Sequence, residues 1–278
     1  MSRDGAARIR AAFEKAARDG RTALIPYVVA GYPDLDGSYE AAIACIDAGA
    51  DLLEVGLPYS DPLADGATLQ RASAAALKAG ATFDRSIELV RRIAAARPAT
   101  PLVPMCYANQ VIGGGDGRAA AKRLAEAGAA GIIVADLTPD EGASFEQVAA
   151  DAGLAVVYLV APTTPADRRR WIANRASGFL YCVSLVGVTG ARTSLPPQVA
   201  RLVRDVKAAS PIPIGVGFGV SRPAHVKALA KAGADGVIVA SALVDALGED
   251  GRDVQALTRL VRSLRTAADA SAGVGASA

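Results

Sequence analysis

The chain has 278 residues, of which 51% are hydrophobic and 21% are charged, so it is long and apolar enough to bury a large core. Its 30 basic and 28 acidic residues give a net charge of +2 without any block of like charge, which argues against a nucleic-acid-binding or anionic-membrane-binding surface. Three scattered cysteines, an N-terminus without an apolar signal-peptide core and the lack of any run of about 18 apolar residues predict reduced thiols, a cytoplasmic location and no membrane span.

Short apolar runs rich in β-branched residues alternate along the chain with longer amphipathic segments. Eight of these runs are apolar almost from end to end, which is typical of strands buried on both faces. They cover residues 23–31, 50–56, 100–107, 131–136, 154–162, 178–184, 212–219 and 235–241. Helices are predicted at 8–20, before the first strand, and then at 38–49, 67–79, 84–97, 117–128, 196–209 and 222–233. Several of them end in Ala-Gly, with the glycine at the expected C-cap.

Eight strand-then-helix units in one chain favour a closed (β/α)8 barrel over an open sheet. We therefore predict an α/β fold, a single TIM barrel with an extra N-terminal helix. We expect one domain over residues 1–269. The last segment, ASAGVGASA (270–278), is small and polar, and we expect it to be a disordered tail.

Two carboxylates stand near the end of the second predicted strand, in the segment LLEVGLPYSDPLADG (52–66). Glu54 interrupts the apolar run, and Asp65 follows on a loop that contains two prolines. Chemistry in this fold takes place at the C-terminal ends of the strands and on the loops after them, so the pair predicts acid–base machinery. The alternatives are a structural carboxylate paired with an arginine for Glu54 and a helix N-cap for Asp65.

The remaining reactive residue types narrow the chemistry. All six lysines fall in helical segments, which argues against an aldolase that works through a Schiff base. The only histidine, His225, lies in a predicted helix and is expected to be solvated, and the cysteines share no CxxC spacing, so no metal site is predicted. The reaction should use carboxylates, hydroxyls and backbone dipoles. Other polar groups at strand ends are Tyr107, Asn109, Asp136, Tyr181 and Ser184.

Glycine-rich turns follow the seventh and eighth strands. GVGFGVS (215–221) and VIVASALVDAL (237–247) each lead into a helix whose first N–H groups can bind an anion, and loops at these positions often hold phosphate in barrels. The alternative is that the glycines only relieve crowding. Loop six, LVGVTGARTSLPP (185–197), combines glycines with a double proline, which suits a lid as well as a plain long connection.

The segment LLEVGLPYSDPLADGATLQ closely resembles the signature of tryptophan synthase alpha subunits. The resemblance continues in chain order through IPYVVAGYPD, MCYANQV, IIVADLTPDE, YCVSLVGVTGAR, GVGFGVS and ASALV, from about residue 22 to about residue 245. It implies a lyase of tryptophan biosynthesis that cleaves indole-3-glycerol phosphate to indole and glyceraldehyde 3-phosphate. It also implies that this chain carries no cofactor and works in an alpha-beta-beta-alpha heterotetramer with a beta subunit that holds pyridoxal phosphate.

The resemblance implies roles for single residues. Glu54 is expected to be the general acid–base group at the breaking bond, and Asp65 the anion that faces the indole N–H. Tyr181 and Thr189 are expected to support them. Gly190, Gly219, Ala240 and Ser241 match the phosphate site, and Tyr27, Met105 and Phe218 match the indole pocket. Ala240 departs from the family's usual glycine, and its methyl group would crowd the phosphate if the turn required a positive φ.

Other functions remain open at this stage. The chain could be a stand-alone lyase that releases indole, or another isomerase on a phosphate-binding TIM barrel, which would need no aromatic pocket. It could also be a non-catalytic partner subunit. The presence of both Glu54 and Asp65 argues against this last hypothesis.

Overall fold

The computed structural model describes residues 4–183, 197–217 and 219–269 of the chain. Its strands form one parallel sheet in the order β5-β4-β3-β2-β1-β9-β8-β7-β6. They are β1 Ala23–Val29, β2 Leu53–Gly56, β3 Leu102–Cys106, β4 Gly131–Val134, β5 Ala155–Val157, β6 Leu159–Val160, β7 Leu180–Val183, β8 Ile214–Gly217 and β9 Gly236–Val239. Only Tyr158 separates β5 from β6, so the two ends of the sheet are halves of one strand and the sheet closes into an eight-stranded barrel. The predicted TIM barrel is confirmed.

Helices connect the strands on the outside of the barrel. Those in the described residues are α1 Gly5–Arg18, α2 Leu35–Asp47, α3 Ala67–Lys78, α4 Phe83–Ala96, α5 Ala108–Ile112, α6 Arg118–Glu126, α7 Pro139–Asp151, α8 Ala166–Arg175, α9 Pro197–Ala209, α10 Pro223–Ala232, α11 Ser241–Ala246 and α12 Val254–Asp269. Glycine stands after several of them, as predicted. Gly233, for example, ends α10 with a φ of +102°, a backbone conformation that residues other than glycine rarely adopt.

Helix α1 is the predicted extra helix, and it closes the end of the barrel where the strands begin. The Asp4 carboxylate caps it by accepting a hydrogen bond from Ala7 N at 3.0 Å. Its buried residues Ile9 and Phe13 pack into the same apolar cluster as the barrel interior, and the rings of Phe13 and Phe179 lie 5.7 Å apart. With this end filled by apolar side chains, the other end of the barrel is left for the candidate site.

No helix in the described part of the chain is long and apolar enough to cross a membrane. The three cysteines are buried as free thiols. Residues 270–278, predicted as a tail, lie outside the described residues.

Candidate active site

Glu54 lies inside the barrel, one step deeper than the sequence predicts. It is the second residue of β2 rather than a residue at the end of that strand, and only 1% of it is exposed. Side chains alternate along a strand, so Leu52, Glu54 and Gly56 share the face that points into the barrel. Neither carboxyl oxygen of Glu54 has a hydrogen-bond partner within the described residues. The alternative of an ion pair with arginine therefore gains no support from these residues.

The environment of Glu54 favours its neutral form. Burial, and to a smaller degree the charge of Asp65, raises the pKa of Glu54 from 4.5 to about 8. Burial acts in this direction because an apolar interior stabilises an ionised carboxylate far less than water does. A carboxyl group with this pKa carries its proton at neutral pH and can donate it, which is what a general acid requires.

Two tyrosines border Glu54. Tyr27 on β1 is its partner in register across the β1–β2 ladder. Tyr181 on β7 is 8% exposed, and burial followed by the charge of Glu54 raises its pKa well above the usual value. Burial, then Asp65 and then Glu54 raise the pKa of Tyr27 in the same way. Both hydroxyls therefore stay protonated at neutral pH.

Gly56 makes room for Tyr27. A Cβ atom at residue 56 would fall 1.8 Å from the Tyr27 hydroxyl oxygen, so the ring can occupy its place only because residue 56 has no side chain. Met105 is the partner of Gly56 on β3 and packs against the cluster that contains Tyr27. The structure thus places Tyr27, Tyr181 and Met105 near Glu54 in the barrel interior.

Asp65 lies on the loop between β2 and α3 and is half-buried. Gly66, not Asp65, is the N-cap of α3, and no side chain caps that helix, so the helix-cap alternative is wrong. Burial raises the pKa of Asp65 to about 6, and hydrogen bonding to the Tyr107 side chain opposes this rise. Asp65 is consequently the more acidic of the two carboxyls and is mostly ionised at pH 7.

The sequence shows Tyr107 only as a polar residue at a strand end and does not assign it to the site. It follows β3 and is 5% exposed. Its hydroxyl oxygen accepts a hydrogen bond from Ala64 N at 3.0 Å, which places it beside Asp65. The only signal in the sequence was its position after a strand, because the contact joins residues that are 43 positions apart.

The candidate phosphate residues follow the neighbouring strands β8 and β9. Gly219 is exposed and has a φ of +59°, and Ser241 is the first residue of α11. Ala240 has a φ of −121°, so its backbone does not require glycine, and the concern about its methyl group finds no support in the turn geometry. Thr189, Gly190 and Phe218 lie outside the described residues.

His225 corrects one expectation. The sequence suggests a solvated side chain, but His225 is 7% exposed. It lies on the face of α10 that also buries Val226 and Leu229, and its Nδ1 atom accepts a hydrogen bond from Ser221 N at 3.4 Å. Within the described ranges, no group of three or more histidine, cysteine, aspartate or glutamate residues could hold a metal ion.

Comparison with known proteins identifies the family. The family model described as Tryptophan synthase alpha chain matches residues 13–272. The tryptophan synthase alpha chain of a Roseiflexus species is 45% identical over 248 residues, which cover 88% of this chain and 94% of that protein. The alpha chain of Methanothermobacter thermautotrophicus is 41% identical over 255 residues, or 91% of this chain and 93% of that one.

Solved structures agree with the sequence comparison. A structure of Mycobacterium tuberculosis tryptophan synthase matches with a TM-score of 0.87 at 39% identity, covering 94% of this chain and 98% of that chain. The alpha subunit of tryptophan synthase from Legionella pneumophila matches with a TM-score of 0.85 at 35% identity, covering 95% of this chain and 98% of that chain. This chain therefore belongs to the tryptophan synthase alpha chain family.

Proposed function

We propose that this chain cleaves indole-3-glycerol phosphate to indole and glyceraldehyde 3-phosphate, with Glu54 and Asp65 as its catalytic carboxyls. The observation that carries the proposal is the Glu54 carboxyl, which is buried, has no hydrogen-bond partner among the described residues and has a pKa of about 8. Burying such a group lowers stability, and groups of this kind are concentrated in active sites. Membership of the family supplies the substrate.

Glu54 serves as acid and then as base in one turnover. Its carboxyl gives a proton to C3 of the indole ring, which leaves the ring cationic. The bond between C3 and the side-chain carbon C3′ then breaks, and its electron pair returns to the ring and restores neutral indole. The C3′ hydroxyl becomes the aldehyde of glyceraldehyde 3-phosphate, and its proton returns to the Glu54 carboxylate. The proton count of the enzyme is unchanged, and no metal or covalent intermediate takes part.

Asp65 stabilises the cationic ring. When C3 accepts the proton, positive charge develops at the indole nitrogen, and an anion beside the N–H lowers the energy of that state. The pKa of about 6 keeps Asp65 ionised at neutral pH, whereas Glu54 remains protonated. Two carboxyls in different surroundings thus take opposite roles at one pH. Tyr27, Met105 and Phe218 are assigned to the indole pocket, and Tyr181 is assigned to support the two catalytic carboxyls.

The phosphate end of the substrate is assigned to the loops after β8 and β9. The first N–H groups of a helix have no partner within the helix and can bind an anion, and backbone N–H groups in turns do the same. Gly219, Ala240 and Ser241 would offer such groups, together with Gly190 of loop six. Thr189 of the same loop is assigned to support Asp65.

A beta subunit is the proposed partner, in an alpha-beta-beta-alpha complex located in the cytoplasm. Pyridoxal phosphate is assigned to that partner, and no cofactor to this chain. The segment DPLAD (61–65), which ends in the catalytic Asp65, leaves Leu63 93% exposed. A single exposed apolar side chain is common on protein surfaces, so the proposal of this partner rests on membership of the family.

The test is release of indole from indole-3-glycerol phosphate by the purified chain, alone and with the beta subunit. Indole and glyceraldehyde 3-phosphate should form in equal amounts. Glu54→Gln should lower kcat by about 10²–10⁴ while the protein stays folded. Glu88→Gln, on the exposed surface of α4, is the matched control and should keep the rate. Intact indole-3-glycerol phosphate, together with isomerisation of a phosphosugar supplied in its place, would point to a different barrel enzyme.

A further inference from the structure

The loop after β2, which carries Asp65, is fastened to the segment after β3 by side-chain hydrogen bonds. Gln110 of α5 donates from Nε2 to the Pro58 carbonyl oxygen at 3.0 Å. Asn109 donates from Nδ2 to the Tyr59 hydroxyl at 3.3 Å. The same Gln110 accepts a hydrogen bond from Tyr107 N at 3.0 Å through Oε1. Short helix α5 therefore holds the start of the loop after β2, which we call loop two.

Tyr107 holds the other end of loop two. Its ring stacks on Tyr59, with centroids 5.0 Å apart and planes at 23°. Its hydroxyl oxygen accepts the hydrogen bond from Ala64 N, one residue before Asp65. A phenol hydroxyl can accept and donate at once, so its own proton remains available for the Asp65 carboxylate.

The segment that carries Tyr107 is itself fixed to its neighbour. Ala108 N, the next backbone group along the chain, donates to Asp136 Oδ1 at 2.7 Å, and Asp136 follows β4. Tyr107 directly follows barrel strand β3, so its position is more firmly fixed than that of the loop it contacts. The direction of support therefore runs from Tyr107 to Asp65.

We propose that Tyr107 is a positioning residue, whose hydroxyl holds Asp65 in the orientation and the charged state that the cleavage reaction requires. The proposal rests on the function proposed above. It assigns the order of the loop after β2, in part, to this chain's own segment after β3, which carries Tyr107 and α5, rather than to the partner alone. Tyr107 acts through Asp65 and is given no contact with the breaking bond.

Several ionisable groups face Asp65, and they act differently. Glu54 from β2, Tyr27 from β1 and Tyr181 from β7 interact with it through charge alone. Hydrogen bonding to Tyr107 is the influence that lowers the pKa of Asp65, against the larger effect of burial. Removal of the Tyr107 hydroxyl should therefore raise that pKa and delay ionisation of Asp65 to higher pH.

The variant to make is Tyr107→Phe, which keeps the ring stacked on Tyr59 and removes only the hydroxyl. The acidic limb of the kcat/KM profile should move to higher pH by about one unit, the size expected for loss of one charge-assisted hydrogen bond. KM should change little, and Tyr39→Phe, which removes a hydroxyl from α2 on the outside of the barrel, should leave the profile in place. An unmoved acidic limb in a folded Tyr107→Phe protein overturns the proposal.

Two measurements do not depend on activity, so they separate this proposal from the proposed function. The carboxyl carbon of Asp65, assigned in NMR spectra by its loss in Asp65→Asn, should titrate at higher pH in Tyr107→Phe. The Ala64 amide should exchange with solvent about tenfold faster, because it has lost its acceptor. Unchanged titration and exchange refute the role of Tyr107 even if indole is released. Both changes in a protein that releases no indole support the contact and refute the function.

If Tyr107→Phe does not fold, an NMR titration of the unmodified protein still tests the proposal. The Cζ resonance of Tyr107 should then shift with pH at the same midpoint as the Asp65 carboxyl, because the hydroxyl donates to that group. A Tyr107 resonance that ignores the ionisation of Asp65 would disprove the hydrogen bond.

Discussion

Tyr27 and Glu54 face each other in register across the β1–β2 ladder, and both side chains point into the barrel with exposed fractions of 4% and 1%. Burial raises the pKa of both groups. A barrel interior that is otherwise packed with apolar side chains thus holds two neutral acids side by side. At neutral pH the carboxyl carries its proton in a place from which water is largely excluded, and a substrate in the barrel mouth would meet it directly.

We expect a bell-shaped dependence of kcat/KM on pH, with its maximum near pH 7, because kcat/KM reports the ionisation of the free enzyme. The rate should rise as Asp65 ionises, near its pKa of about 6, and fall as Glu54 loses its proton, near about 8. The two groups interact, so the two limbs belong to the pair rather than to single residues. Values of kcat/KM measured between pH 5 and pH 9 test this. A rate that keeps rising through pH 8 would show that Glu54 is not the proton donor.

Glu54→Gln should change how stability depends on pH. The folded-state pKa of Glu54 is about 8, above its usual value of 4.5, so folding favours the protonated form. The stability linked to that proton is fully present below pH 4.5 and is lost as pH rises toward 8. Between pH 5 and pH 8 this loss amounts to about 3 kcal/mol of unfolding free energy.

Glutamine does not titrate, so the unfolding free energy of Glu54→Gln should fall less between pH 5 and pH 8 than that of the unmodified protein. Unfolding by urea at pH 5 and pH 8 measures the difference, and Glu88→Gln at an exposed site should behave like the unmodified protein. Equal pH dependence in both proteins would mean that Glu54 titrates near its ordinary pKa.

The sequence predicts the barrel well because both faces of each strand are buried. That condition produces apolar runs that are recognisable without any partner, and glycine after a helix marks where each run begins. It does not predict that one strand is interrupted at Tyr158, because 154–162 is apolar throughout. Helix α5 is also absent from the prediction, since its five residues are too few to show a period.

The site is predicted less completely than the barrel. Glu54 and Asp65 stand out because acids interrupt or follow an apolar strand. The role of Tyr107 and the burial of His225 cannot be recognised in the sequence, because each depends on contacts with residues that are brought close only by the fold. His225 follows Pro223 and Ala224, which give no sign that the position is buried. The side of α10 that it shares with Val226 and Leu229 nevertheless faces the barrel.

Gly219→Ala should raise KM for the phosphorylated substrate with a smaller effect on kcat. Gly219 has a φ of +59°, where a Cβ atom is strained, and it lies in the turn assigned to the phosphate. Gly233→Ala is the matched control, because its φ of +102° imposes the same strain at the far end of α10. Both variants should lose about 1 kcal/mol of stability. If KM rises equally in both, strain rather than phosphate binding is the cause.

Asp65→Asn separates charge from hydrogen bonding at the indole nitrogen. Asparagine has nearly the same size, and its carbonyl oxygen can still accept a hydrogen bond from the indole N–H. It cannot balance the positive charge that forms after C3 is protonated. An interaction that is stronger in the transition state than in the bound substrate appears in kcat, so kcat should fall by about 10²–10³ with substrate binding largely kept.

Asp84→Asn is the control, because Asp84 is exposed on α4 on the outside of the barrel and should tolerate the change. Glu54→Gln stops the same chemical step, so the double variant with Asp65→Asn should be little slower than the worse single variant. Equilibrium binding of the intact substrate and single-turnover release of indole measure both quantities for all of these proteins. An Asp65→Asn protein that binds substrate poorly but releases indole at the normal rate would show that Asp65 anchors the substrate rather than stabilising the cationic ring.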